Sequence, residues 1–397
     1  MNLTQSYDIA IPTRILFGVN RSRELGALLC QRGYRSALIC TDQNLVQAGI
    51  LEGIEGSLRE RVVDFRLYDR VKENPDLETV LDAREFAGKQ RFDCLIGVGG
   101  GGPIDVAKAL SVALTHDGDI RDYVAYTSGQ RRPIEDKVLP VFAVPTTAGS
   151  GAEVSPVAVI VDREIRTKIG FFSESLFPRA AVVDPALARS LPPGPTAGSG
   201  LDVLAHAFDA FVSRTATPFS DGLAKVAMQI VFTYLRTAVW QGDDLEARAA
   251  MSSASIMALL AIYFAKGGAV HTIGEPLGTI CDLPHGYACG IAIPAMMEFL
   301  IPVCRSRFAA MLELSRGRGE RAPTEASGAW QCIHEVRTLI RDVRLAEITT
   351  VVEKPDLQEL SAASAEHLAV DRVPMPVSRD EYRRLYERIF SQDYLLS

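Results

Sequence analysis

Residues 267–286, GGAVHTIGEPLGTICDLPHG, hold two of the chain's six histidines, His271 and His285, fourteen positions apart. Upstream, SGLDVLAHAFDAFVS at 199–213 has helical spacing and puts Asp202 and His206 four apart on one face. Together these are one carboxylate and three imidazoles, a donor set that suits Fe2+ or Zn2+ and leaves room for an exogenous oxygen. An Asp–His pair at this spacing is also an ordinary helix-surface contact, so the pair alone decides nothing. The gathering of all four groups within residues 202–285 favours a metal. Glu275 follows His271 by one helical turn, so the two share a helix face. His116, His334 and His367 have no comparable neighbours in the sequence and read as solvated or structural.

A second chemistry is suggested by DCLIGVGGGGPIDVAKAL at 93–110: an apolar strand, five glycines in six positions, then a helix with Pro103 in its first turn. Glycines there let the backbone approach a pyrophosphate, and the free N–H groups of the following helix favour its charge. Gly97, Gly99 and Gly102 satisfy G-x-G-x-x-G, which alone is weak. The acid expected to end a second strand about 20 residues on is missing, and no Gly-Lys-Ser/Thr follows, which excludes a P-loop. The bland reading is a tight turn, but five glycines exceed what a turn needs. VPTTAGSGAEVSP at 144–156 leaves another strand through small polar residues. There Thr146, Thr147 and Ser150 can donate to a ribose or carboxamide, and an ordinary polar loop is the alternative. Asp42 ends an earlier strand; it fits a ribose hydroxyl, where it would repel a 2′-phosphate, and it fits a helix N-cap equally well.

The elements that must position these groups fall into two halves. At 397 residues the chain exceeds one ordinary core, so two domains are expected. Strand patterns at 35–40, 61–68, 92–98 and 141–144 alternate with helical patterns at 21–33, 76–90 and 103–115, and further strands between 157 and 184 close this half. Such alternation predicts a parallel, Rossmann-like sheet covered on both faces. After LPPGPTAGSG at 191–200 the patterns are helical, at 201–213, 218–238, 245–265 and 286–301. The expected fold is therefore an α/β dinucleotide-binding domain over 1–190 and an all-α metal-binding domain over 191–397.

Composition limits the function classes. The net charge of −7 is spread along the chain with no basic stripe, so nucleic acid is not an expected partner. The seven cysteines form no C-x-x-C pair and fit free thiols in a reducing compartment. The N-terminus lacks the basic start and apolar run of a secretory signal. The longest apolar stretch, ASIMALLAIYFA at 254–265, is too short to span a bilayer. A cytoplasmic protein without a membrane partner is the expectation.

Taken together, GGGGPIDVAK, PTTAGSGAEV, GLDVLAHAFDAFVS and GAVHTIGEPLG…PHG resemble the iron-containing (group III) alcohol dehydrogenases, in order and over nearly the whole chain, most weakly after about residue 305. The resemblance implies that Asp202, His206, His271 and His285 ligate Fe2+ or Zn2+. It also implies that Gly99, Gly100, Gly101 and Asp105 belong to the loop over the NAD pyrophosphate, and that Thr146 and Thr147 lie near ribose and nicotinamide. Asp42 matches the acid associated with NAD rather than NADP. Two positions depart from the pattern: Gly102 stands where the family usually has Ser, and Glu275 where it commonly has His. Glu275 is expected to handle a proton or a polar substrate group, or to act as a fifth ligand or salt-bridged bystander.

The implied reaction is reversible hydride transfer between a small alcohol/aldehyde pair and NAD, in a homodimer or larger homo-oligomer. A different class, the dehydroquinate-synthase type, uses NAD and metal only transiently in an elimination and ring closure; it would need a basic pocket that residues 267–290 do not supply. A non-catalytic protein on the same scaffold is disfavoured because all four ligands are present.

Overall fold

The computed structural model describes residues 6–125, 132–165, 167–316, 324–345, 355–391 and 394–395. They form two compact units, one of residues 10–147 and 151–191 and one comprising 192–397 with Ala148–Ser150.

The first unit runs β1 (Arg14–Phe17), α1 (Leu25–Gln31), β2 (Ser36–Cys40), α2 (Gln43–Gln47), α3 (Glu52–Glu60), β3 (Asp64–Tyr68), α4 (Leu77–Ala87), β4 (Cys94–Gly99), α5 (Gly101–Thr115), β5 (Val141–Pro145), β6 (Val157–Asp162), β7 (Thr167–Phe172) and β8 (Ala180–Val183). Six strands make one parallel sheet in the order β1-β8-β5-β4-β2-β3. β4 and β5 are buried at every position, which is why CLIGVG and VFAVP read as continuous small and apolar runs rather than alternating ones. Leu38 and Leu95 pair across β2 and β4, and Gly97 faces Ala143 across β4 and β5, which sets the glycine run at the carboxyl end of the sheet.

Two expectations change. Of the strands expected between 157 and 184, only β8 joins the main sheet; β6 and β7 form a separate antiparallel pair. RILF at 14–17, outside the strand patterns expected, forms the edge strand β1 beside β8.

The second unit is helical: α6 (Pro193–Val212), α7 (Pro218–Trp240), α8 (Leu245–Ala265), α9 (His271–Ile280), α10 (His285–Arg316), α11 (Glu325–Asp342), α12 (Leu357–Ala365) and α13 (Arg379–Ile389). Thr217 caps α7 in a reciprocal box with Ser220, and Asp244 caps α8. α6 starts eight residues before the expected 201, inside the Pro/Gly segment expected to be a boundary loop. Proline is tolerated in a helix's first turn, where its missing N–H has no partner to lose. Gly200 packs against α7: a Cβ there would lie 2.1 Å from Leu235 Cδ1, so a larger residue would make the Leu235 side chain move.

The core of this unit is built on Leu204, Phe208, Val231, Met296 and Phe308. The apolar run at 254–265 proves to be the second half of a 21-residue helix, so its shortness is no argument against a membrane span. α8 and α10 are both long and apolar enough to cross a membrane by composition, yet 56% and 67% of their apolar windows are buried inside the protein.

Candidate metal centre and dinucleotide loop

Three helices bring the predicted metal ligands together. Asp202 and His206 lie one turn apart in the middle of α6, His271 is the first residue of α9 and His285 the first of α10. The glycines flanking both histidines have a steric cause. A Cβ on Gly267 would sit 2.4 Å from the Asp209 carbonyl oxygen, and one on Gly286 would sit 2.3 Å from that of Gly198. Both glycines therefore lie directly against the α6 backbone, and each leaves the neighbouring histidine beside Asp202.

The donor atoms are close. Asp202 Oδ1 is 3.5 Å from His285 Nε2 and 3.9 Å from both His271 Nε2 and His206 Nδ1. The rings of His206 and His271 stack at 4.8 Å. Asp202, His206 and His271 are buried, and the His285 side chain keeps 26% of its exposure.

Asp209, two turns after Asp202 on the same helix, fixes His271. Its carboxylate accepts from the Val270 N–H at 2.7 Å, the His271 N–H at 3.3 Å and His271 Nδ1 at 2.7 Å. With Nδ1 bonded to Asp209, Nε2 is the nitrogen of His271 that faces Asp202 and would ligate a metal once it gives up its proton. Burial works against a charge on His271, but Cys289 and Asp209 outweigh it and hold its pKa well above the ordinary histidine value. Burial lowers the pKa of His206. Neither His206 Nδ1 nor His271 Nε2, both buried, makes a hydrogen bond. Leaving such nitrogens unsatisfied is costly, and a cation among them removes the cost. The residues present fit a divalent metal.

Two neighbours of this cluster were not expected from the sequence. Cys289, one turn after His285 in α10, offers a sulfur to the group formed by Asp202, His271 and His285. His367 is not the solitary residue the sequence suggested: its Nδ1 accepts from the Ala369 N–H at 3.1 Å, which leaves Nε2–H to donate to Glu275 at 2.8 Å. The segment carrying it reaches α9 because Gly268 has no side chain; a Cβ there would meet Ala369 Cβ at 2.5 Å. Glu275 is close enough to His206 to favour its protonated form electrostatically. Asp209 and Cys289 had a signal in the sequence, the helical spacing from Asp202 and from His285, whereas His367, 92 residues from Glu275, had none.

The glycine run forms the turn from β4 into α5. Gly99 has φ 149°, where side chains are strained, and its carbonyl accepts from the Thr146 N–H at 2.9 Å, tying the two predicted loops together. A Cβ on Gly97 would lie 2.7 Å from Ile104 Cα, so this glycine seats α5 on its strand. Gly100 takes the N-cap position with no side-chain cap, 3.3 Å from Thr147 Oγ1 measured from where its Cβ would be, and Gly101 opens the helix. The first N–H groups of α5 thus emerge from a backbone stripped of side chains, which fits a pyrophosphate. Gly102 faces the Lys72 and Glu73 carbonyls at 3.4 and 3.5 Å, measured in the same way. Thr146 is buried and Thr147 half-buried, while Ser150 falls within the helical unit.

Asp42 is the N-cap of α2 and accepts from the Leu45 N–H at 3.1 Å. The Asp105 carboxylate accepts from the Val159 N–H at 3.2 Å and lies 4.0 Å from Lys108, and burial pushes it up to about 6. Lys108 is fully buried, donates to the carbonyls of Ala152, Ser155 and Val157, and is pushed down to about 8 by burial. Burial likewise raises Glu153 to about 7.

Comparison with known proteins agrees with this geometry. Residues 12–185 match the family model for iron-containing alcohol dehydrogenase, and residues 196–390 match that for the C-terminal part of the Fe-containing alcohol dehydrogenase family. Long-chain-alcohol dehydrogenase 1 of Geobacillus thermodenitrificans is 33% identical over 362 residues, 90% of each chain. A solved 1,3-propanediol oxidoreductase superposes with a TM-score of 0.90 at 28% identity, covering 97% of this chain and 100% of that one. A sulfoacetaldehyde reductase from Bifidobacterium kashiwanohense, solved in complex with NAD+, gives 0.85 at 28% identity, covering 98% and 100%.

Proposed function

Since this chain belongs to the iron-containing alcohol dehydrogenase family, we propose that it interconverts a small, functionalised alcohol and its aldehyde. It is a metal-dependent oxidoreductase that acts on alcohol CH–OH groups with NAD; the elimination chemistry of the dehydroquinate-synthase type is set aside by the same relatives. The observation that carries the reading is the convergence of Asp202, His271 and His285 beside an Asp209 that fixes the His271 tautomer.

In this reading Asp202, His206, His271 and His285 hold a divalent metal, Fe2+ or Zn2+. The N-terminus of α5 with Gly99, Gly100, Gly101 and Gly102 holds the NAD pyrophosphate. Thr146 and Thr147 hold the ribose and nicotinamide end, and Asp42 the adenosine ribose, which excludes a 2′-phosphate and favours NAD over NADP. Asp105 supports the turn from inside, through its bond to β6. When bound, the metal supplies Lewis acidity to the substrate oxygen and NAD accepts hydride from the carbinol carbon. Asp209 keeps the proton of His271 on Nδ1, and Glu275, held by His367, takes the hydroxyl proton or binds a polar group of the substrate.

The functionalised substrate is supported by that carboxylate, because an acid beside the centre favours a hydrogen-bond donor or cation on the substrate over a bare alkyl chain. A homodimer or larger assembly is supported by β1, an edge strand whose Ile15 and Phe17 are exposed. A cytoplasmic location is supported by seven cysteines, all free.

The test is NADH absorbance with metal-stripped enzyme reloaded with Fe2+ or Zn2+. The panel runs from simple alcohols to diols, hydroxy acids, and amine- or phosphonate-bearing aldehydes. Metal-dependent turnover that favours a polar substrate is expected; a best substrate that is a plain long-chain alcohol sinks the substrate class.

A further inference from the structure

We propose that Cys289 is a ligand of the metal centre, adding a thiolate to the oxygen and nitrogen donors. The inference rests on reading Asp202, His271 and His285 as ligands, and goes beyond it by changing the donor chemistry.

Cys289 is fully buried one turn after His285, and its Sγ lies 3.8 Å from His285 Nδ1 and 3.7 Å from Nε2. One donor atom from each of Asp202, His271, His285 and Cys289 lies within 4.8 Å of all the others. With Cys289 beside Asp202, His206, His271 and His285 the centre has five protein ligands, and bonds of about 2.0–2.3 Å at roughly 90–120° put neighbouring ligand atoms roughly 2.8–4.0 Å apart. The separations of 3.5 Å from His285 to Asp202, 3.7 Å from His285 to Cys289 and 3.9 Å from His271 to Asp202 are already within that range.

The packing explains how the sulfur reaches this place. Gly274 of α9 faces Cys289, and a Cβ there would lie 2.6 Å from Sγ and 2.9 Å from Cα. Any larger residue would force α9 off α10 and draw His271 away from the thiol. Cys289 shares the helical core with Cys332, and Cys40 and Cys94 lie in the cores of the other unit, where burial pushes the Cys40 thiol up to about 12. Only Cys289 belongs to the cluster of metal donors found among the described residues.

On binding, the thiol gives up its proton to solvent as the sulfur–metal bond forms. A thiolate also makes the centre softer and favours Zn2+ over Fe2+.

The experiment loads the metal-stripped full chain with one equivalent of Co2+ and records its absorption. The expected spectrum has visible d–d bands and a near-ultraviolet thiolate-to-cobalt charge-transfer band. That band is lost in Cys289→Ser and Cys289→Ala and kept in Cys281→Ser. Because a variant can misfold, X-ray absorption of the Zn2+-loaded wild type is the second reading, with one sulfur at about 2.3 Å expected. Tightly bound Co2+ without a charge-transfer band, and zinc with only nitrogen and oxygen neighbours, overturns the role of Cys289 and leaves the other ligands standing. A band that survives in Cys289→Ser also overturns it. Failure to retain any metal overturns the ligand set as well.

Discussion

His367 donates from Nε2 to the Glu275 carboxylate at 2.8 Å, and its other ring nitrogen is held by the Ala369 N–H. The backbone contact decides the tautomer, so the imidazole meets Glu275 as a neutral donor and orients the carboxylate. His367→Gln keeps a donor and His367→Phe removes it. The phenylalanine variant is expected to lose about tenfold in kcat/KM, an effect of ~1.4 kcal/mol, and to alter the pH profile, with glutamine restoring most of both. Equal loss in both variants would make His367 merely a packing residue.

Asp209 accepts three N–H groups around His271, two from the backbone and one from the ring. Asp209→Asn preserves the shape but weakens the hold on the His271 tautomer. Metal retention against a chelator is expected to fall about 10- to 100-fold. Unchanged retention would show that His271 needs no such partner.

Gly286→Ala places a methyl carbon 2.3 Å from the Gly198 carbonyl oxygen, so the start of α10 must move off α6. A loss of about 1–3 kcal/mol in stability is expected, with loss of bound metal at temperatures where the fold persists. Thermal unfolding and metal analysis on one sample check both; a stable variant with full metal content contradicts the packing account.

Glu153 is fully buried, and burial raises its carboxyl from 4.5 to about 7. A raised folded-state pKa means that the folded form binds the proton more tightly than the unfolded form. The resulting stability is fully present below about pH 4.5 and is lost as pH rises through 7. Asp105, raised to about 6, changes in the same direction. Denaturant midpoints at pH 5 and pH 8 are expected to fall with rising pH, and Glu153→Gln to remove part of that slope by stabilising the protein at pH 8. A variant with the wild-type slope would place the titration elsewhere.

Asp42 is a helix cap whose charge is also assigned to cofactor choice. Asp42→Asn keeps a capping oxygen while removing the charge, so stability should change little and the ratio of NADP to NAD activity should rise. Asp42→Ala should cost about 0.5–2 kcal/mol through loss of the cap. An asparagine variant still confined to NAD would leave Asp42 with its cap alone.

Much of this molecule is written locally. The periodicities over 35–40, 76–90 and 245–265 identify strands and helices because each depends on residues a few positions apart, and the β4–α5 turn is legible because its glycines are consecutive. Half of the candidate metal set is local in the same way, since Asp202 and His206 share one helix face. What the sequence alone could not decide lies in contacts between distant segments. The glycines of PPGPTAGSG look like chain breakers until Leu235 and Tyr287 are packed against them. Glu275 is an isolated acid until His367 arrives from 92 residues away, and Cys289 is one more buried thiol until Gly274 lets α9 settle against it. Spacing along the chain determines which residues share a helix face; which faces meet depends on steric fit between backbones, and only the folded chain settles that.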